Sequence, residues 1–306
     1  MHTTKLANIG IKYLSDLQLD DLYQLQDELN TLWKSGQSTI SNSLYDKIAD
    51  GINYEVTQLA ADPYNYAVKI NDNELHKLLA RLTGLHSQKK SPVANSVWDI
   101  LSHELAMRNF VAIHPPLTYP SHWTRMSLSE NPVEFITLSQ ISQEFQDLSS
   151  VFSKSLGKSS VAIYSIIRIQ NLRLWSIFQE LQKTLPNNIR RLFHGTASAE
   201  QQKLIMYHGF FHSFCPGGLI GDGVYFAVNS QYSNDDPYVL KRTNHRRELF
   251  ICQVLLGNSS QGAGGLKSPA PGCHSVFHHN GSQNDMFCIF NSYQSYPEYI
   301  VQYDYE

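Results

Sequence analysis

Residues able to do chemistry cluster in the C-terminal half of the chain. Arg191-Leu-Phe-His194-Gly195-Thr196 closes a polar segment and precedes a helix-like stretch. Gly221-Asp-Gly223-Val-Tyr225-Phe-Ala227 follows, then Asn229-Ser-Gln-Tyr232-Ser233 and Tyr238, and the chain closes on Ser295-Tyr-Pro-Glu298-Tyr-Ile-Val-Gln-Tyr303. A histidine titrates near neutral pH, a glycine exposes bare backbone to a ligand, and tyrosines offer faces for stacking. Each piece also has a plainer reading. His194 is then a structural residue at a strand end, Tyr225 a strand aromatic facing the core, Tyr238 a surface-loop aromatic and Ser233 the cap of the following turn.

Other chemistries lack their residues. No G-x-x-x-x-G-K-[ST] phosphate loop, H-E-x-x-H, G-x-S-x-G elbow or helix-opening G-x-G-x-x-G is present. His278-His279 with His274 could hint at a metal, but adjacent histidines in a strand face opposite ways and chelate poorly. They read as exposed loop residues, and no metal is expected. Cys215, Cys252, Cys273 and Cys288 are far apart and form no C-x-x-C pair, so free thiols in a reducing compartment are expected.

These residues need elements to hold them. The chain has 306 residues, enough for two domains of roughly 150 each. Hydrophobic residues make up 42% and charged residues 17%, a globular balance, and the net charge of -3 gives no global field for nucleic acid. The longest apolar runs, such as Val161–Ile167 and Leu249–Leu256, fall far short of the ~18 residues of a membrane span. The N-terminus lacks the pattern of a secretory signal. Cytosol or nucleus is the expected location, or a host's cytosol for an effector.

The first hundred residues have helical periodicity. Leu22, Leu25, Leu29 and Leu32 form one stripe, with Ser15 and Asp16 as candidate N-caps. Ile40, Leu44, Ile48, Ile52, Val56 and Leu59 form a second, stopped at Asp62-Pro63. Leu75, Leu78, Leu79, Leu82 and Leu85 form a third, and Val93, Val97, Ile100, Leu101 and Leu105 a fourth. The pattern predicts a helical bundle over residues 1–115. The three prolines of His114–Trp123 break it and mark the boundary.

Beyond that segment, helical stretches fall at 145–152, 172–185 and 197–208, among short β-rich runs at 161–169, 223–227, 249–256, 286–290 and 299–303. Glycines between the runs mark turns, and Asn258–Gly272, rich in Gly, Ser, Ala and Pro, reads as a mobile loop. The fold class is α+β, with a helical N-terminal domain followed by a domain built on a mainly antiparallel sheet with flanking helices.

In order and spacing, the pieces from His194 to Tyr303 resemble the catalytic domain of the poly(ADP-ribose) polymerase family, the diphtheria-toxin-like ADP-ribosyltransferases. The resemblance extends upstream. Tyr119-Pro-Ser-His-Trp123-Thr-Arg-Met126 looks like the domain-opening P-x-x-W-x-x-M of the mono-ADP-ribosylating branch, and Ile167-Arg-Ile-Gln-Asn171 with Leu174-Trp175 like the strand-to-helix signature before the active-site strand. It covers residues 118–306 and leaves 1–115 unmatched.

The resemblance implies NAD+ as co-substrate. The Gly195 backbone would hold the nicotinamide carboxamide with the Ser233 hydroxyl, and Tyr225 and Tyr238 would sandwich the ring. His194, with Thr196 beside it, would bind the adenosine ribose, and the loop His212–Gly221 would cover the donor. The family's glutamate position falls on Met286, giving the triad His194, Tyr225, Met286. A thioether neither stabilises positive charge nor acts as a base, so chain elongation should fail, and in this branch the acceptor carboxylate is thought to supply the missing charge. Asp285 points the opposite way along the strand, and Glu298 reads as structural.

The expected function is therefore NAD+-dependent mono-ADP-ribosyl transfer to a protein side chain, automodification included. Alternatives are ADP-ribosylation of nucleic-acid ends, for which Lys241, Arg242, Arg246 and Arg247 would be the local basic cluster, and a catalytically inactive ADP-ribose or partner-binding module. The helical domain would dock an acceptor protein or lie over the acceptor face.

Overall fold

The computed structural model describes residues 19–35, 42–113, 118–127, 132–211, 215, 218–242, 246–279 and 285–305. Ser15, Asp16, Ile40 and the side chains of Leu32 and Leu44 lie outside the described residues. The chain divides into two compact units, Met1–Asn109 and Phe110–Glu306. The proline-bearing segment expected as the boundary falls just inside the second unit, with 114–117 outside the described residues.

The described elements of the first unit are all helical: α1 (Leu19–Lys34), α2 (Asn42–Ala61), α3 (Pro63–Lys69), α4 (Asp72–Ser87) and α5 (Asn95–Ile113), the last running past the division. Their apolar stripes meet in one core holding Leu22, Leu29, Ile48, Ile52, Leu59, Leu75, Leu79, Leu82, Val97 and Leu101. Asp62-Pro63 stops α2 as expected, the helix ending at Ala61. Pro63 also starts α3, because proline suits a first helical turn, where its missing N–H has no partner to lose. Asn71 closes a capping box on α4, accepting from Glu74 N–H at 3.0 Å while its own N–H donates to the Glu74 carboxylate at 2.9 Å.

The second unit is an α+β domain on one twisted sheet. Its strands are β1 (Val133–Thr137), β2 (Val161–Asn171), β3 (Ile189–His194), β4 (Val224–Ala227), β5 (Leu240–Lys241), β6 (Arg247–Leu255), β7 (Ser259–Gln261), β8 (Ser275–His278), β9 (Met286–Ile289) and β10 (Ser295–Tyr305). The order is β1-β2-β10-β6-β3-β4-β9-β8-β7 with β5 on β6, and every pair is antiparallel except β7–β8. Helices α6 (Gln143–Leu156), α7 (Leu172–Thr184), α8 (Ala199–His208) and α9 (Ser230–Asn234) accompany it. Phe145, Leu148 and Phe152 of α6 are buried, whereas Val151 faces solvent.

Two segments of this half are more ordered than their composition predicts. The glycine-rich stretch 258–272 carries β7 and is pinned, Gly262 N–H donating to Phe277 O at 2.9 Å and Asp222 N–H to Leu266 O at 2.8 Å. His278 is a half-buried strand residue rather than an exposed loop histidine.

The opening motif of the domain is a packing device. Trp123 and Met126 are buried, and Trp123 lies 6.0 Å from Tyr296 and 5.7 Å from Trp175 by ring centroids. Asn171 caps α7 through Leu174 N–H at 3.1 Å and donates to Met206 O and Tyr207 O, fixing α8 behind the site.

Candidate active site

The site forms where β3 ends beside β4. His194 is the last residue of β3, and Phe193 pairs with Ala227 of β4. The His194 ring packs edge-on to Phe210 at 4.8 Å and against Phe226 at 5.5 Å. This apolar setting desolvates the imidazole and pulls its pKa down to about 4, against a smaller opposing effect of its backbone hydrogen bond. Nδ1 lies 2.7 Å from the Tyr225 carbonyl, which can only accept, so the proton sits on Nδ1. Nε2 is left as an acceptor, suited to a sugar hydroxyl.

Gly195 follows at a crowded point. A Cβ there would stand 2.6 Å from both the Ser233 and Tyr238 carbonyl oxygens. The glycine is therefore needed so that the 233–238 segment can close on the end of β3, a stronger reason than the room for a ligand expected from sequence. Ser233 is buried and donates its hydroxyl to Phe193 O at 3.3 Å. Thr196 is also buried and spends its hydroxyl proton on Ser198 O at 2.9 Å.

Short helix α9 carries this segment and is tied down by polar contacts. Ser230 Oγ donates to Phe152 O at 3.2 Å, Tyr303 donates to Asn234 Oδ1 at 2.7 Å, and Asn234 Nδ2 donates to Tyr305 at 2.9 Å. The half-exposed Tyr238 stacks on Tyr232, centroids 5.8 Å apart and planes 21° apart. Tyr225 and Tyr238, expected on either side of a bound nicotinamide, make no ring contact with each other among the described residues, and Tyr232 backs the second. Tyr232 was visible in the motif Asn229-Ser-Gln-Tyr232-Ser233, but nothing in its spacing marked it as a stacking partner.

Tyr225 lies on the neighbouring face. Its hydroxyl donates to Gly221 O at 2.7 Å and accepts from Ile220 N–H at 2.8 Å. Burial raises its pKa. The turn Gly218–Gly221 sits directly on the phenol, since a Cβ at Gly218 would come within 2.4 Å of the Tyr225 hydroxyl. Residues 212–214 and 216–217 of the expected donor-covering loop lie outside the described residues.

Met286 opens β9 opposite Ala227 and is 2% exposed. It packs with Cys288, Val276 and Ile220, against which Tyr225 and Tyr232 also pack. The three triad positions therefore meet around β4: His194 touches the Tyr225 carbonyl, and Tyr225 shares a cluster with Met286. Nearby carboxylates are engaged elsewhere. Asp285 pairs with His279 at 2.5 Å. Glu298 is buried and takes Arg191 in two bonds, 2.8 and 2.9 Å, plus Gln253 Nε2 at 2.8 Å.

The basic cluster is engaged too. Lys241 pairs with Asp236 at 2.5 Å, Arg242 with Glu248 at 2.7 Å and Arg247 with Asp304 at 2.8 Å, while Arg246 lies 3.9 Å over the Tyr164 ring. Among the described residues no group of three or more His, Cys, Asp or Glu could hold a metal ion, and no helix is long and apolar enough to cross a membrane.

Comparison with known proteins places these features. Residues 142–281 match the poly(ADP-ribose) polymerase catalytic domain family. That stretch holds His194, Gly195, Thr196, Tyr225, Ser233 and Tyr238 and stops short of Met286. Mouse protein mono-ADP-ribosyltransferase PARP12 is 31% identical over 206 residues, 62% of this chain and 28% of that protein. A probable poly(ADP-ribose) polymerase of Dictyostelium discoideum is 31% identical over 204 residues, 60% of this chain and 57% of that protein. Human protein mono-ADP-ribosyltransferase PARP14 is 28% identical over 220 residues, 67% of this chain and 12% of that protein. The chain thus spans less than two thirds of each of these relatives.

Proposed function

We propose, on the premise of the match of residues 142–281 to the poly(ADP-ribose) polymerase catalytic domain family, that the chain is an NAD+-dependent mono-ADP-ribosyltransferase that modifies a protein side chain without building a polymer. The observation that carries this reading is the thioether of Met286 on the face shared with Tyr225, where an elongating enzyme needs a carboxylate.

The residues present fit NAD+. The neutral His194 ring offers Nε2 to a ribose hydroxyl. Gly195 would offer backbone N–H and C=O to the carboxamide, and Ser233, whose proton goes to Phe193 O, a hydroxyl oxygen to the amide N–H. Tyr225 and Tyr238 supply ring faces, with Tyr232 backing the second. When bound, NAD+ supplies a glycosidic bond that breaks as positive charge develops on the ribose. This chain's contribution is to orient the carboxamide and ribose and to shield the bond, because Met286 brings no charge to that centre. Growth of a chain would require a base for the incoming ribose hydroxyl at this position, and sulfur does not provide one.

The paired arginines and lysine at 241–247 favour a protein acceptor over a nucleic-acid end. The test is incubation of the full chain with labelled NAD+ beside His194→Ala. The reading expects nicotinamide release and discrete protein label in wild type, both lost in the variant. Binding of ADP-ribose without nicotinamide release would leave only a binding module.

A further inference from the structure

The strand register adds one group to this site, resting on the transferase reading above. His278 of β8 stands directly opposite Met286 of β9, as Ala227 of β4 does on its other side. Directly opposed residues of antiparallel strands share a face, with Cβ atoms about 4.5–5.5 Å apart. Val276 opposite Cys288, and Cys288 opposite Tyr225, extend the same face. Packing agrees: Val276, Met286 and Cys288 cluster with Tyr225, while Phe226, Phe287 and Ile289 pack together on the reverse.

The sheet order β3-β4-β9-β8 puts the strand of His278 beyond that of Met286, away from β3. A donor held by β3 and β4 leaves that side to the acceptor. His278 is half-buried and makes no hydrogen bond among the described residues, whereas His279 is held by Asp285. The other titratable groups on the face are otherwise engaged or protonated. The Tyr225 hydroxyl is bonded to Gly221, burial raises the Tyr232 phenol, and the buried Cys288 thiol is pushed up to about 12.

We propose that His278 is the acceptor-side base, taking the proton of a hydroxyl acceptor as its oxygen attacks C1″ of the nicotinamide ribose. The bond formed is acceptor O–C1″. The bond broken is C1″–N, whose electron pair returns to the pyridinium ring so that nicotinamide leaves neutral. The hydroxyl proton passes to the imidazole and on to water. A carboxylate acceptor arrives ionised and has no use for such a base, so this arrangement selects a serine, threonine or tyrosine hydroxyl.

The experiment uses the full chain with labelled NAD+, comparing wild type, His278→Gln and His278→Ala. Three quantities are read: NAD+ affinity, labelling rate, and survival of the label in neutral hydroxylamine, which cleaves ester but not acetal linkages. The proposal expects a hydroxylamine-resistant label, a loss of about 10²-fold in labelling for His278→Gln at unchanged NAD+ affinity, and partial rescue of His278→Ala by added imidazole. A hydroxylamine-labile label, or undiminished labelling by His278→Gln while nicotinamide release continues, overturns it alone. A wild-type chain that neither binds NAD+ nor releases nicotinamide overturns the transferase reading and this one with it.

Discussion

His194 and Gly195 show how single residues set the site. Burial among Phe210 and Phe226 moves the His194 imidazole from its ordinary 6.5 down to about 4. Between those values the unfolded chain binds a proton that the folded chain refuses, so stability falls as pH drops through this window, by at most about 1.4 kcal/mol per unit. Replacing His194 with Gln should flatten that part of the stability curve, measured by urea unfolding at several pH values, while wild-type NAD+ affinity should hold steady from neutral pH to about pH 5. Gly195→Ala drives a methyl into two carbonyl oxygens. It should cost about 1–3 kcal/mol of stability, read as Tm, and weaken NAD+ binding at least tenfold in a titration. Both residues were legible because they sit in an ordered set of motifs. The Tyr232–Tyr238 stack was not, since which two of several nearby tyrosines meet depends on how α9 is seated.

At the scale of elements, the site rests on strands and a short helix held by polar ties. Arg191 of β3, Gln253 of β6 and Glu298 of β10 join three adjacent strands through one buried carboxylate. Glu298→Ala should lower Tm by several degrees yet leave nicotinamide release per folded molecule within a few-fold of wild type, the opposite of a catalytic glutamate. Asn234→Ala strands the buried Tyr303 hydroxyl and loosens α9. It should cost about 1–3 kcal/mol and raise the NAD+ concentration needed for half-maximal rate, measured by steady-state kinetics. The long strands β2, β6 and β10 were readable from their apolar runs. Strands β3, β7 and β8 were not, because Ile-Arg-Arg-Leu-Phe-His and two segments of three or four residues carry too little alternation. Missing β8 hid the pairing of His278 with Met286.

At the scale of the molecule, two units each have their own core. The first is built on helical leucine stripes that the sequence shows plainly, and the second on a sheet whose partner order no local pattern reveals. A chain lacking residues 1–115 should therefore keep a cooperative thermal transition and release nicotinamide from NAD+, checked by circular dichroism and chromatography. The length of the transferred group separates this enzyme from an elongating one, and mass spectrometry of the chain after prolonged incubation with excess NAD+ measures it. With Met286 in place of a carboxylate, every modified site should carry a single ADP-ribose unit. Oligomers of two or more units on one site would contradict the account.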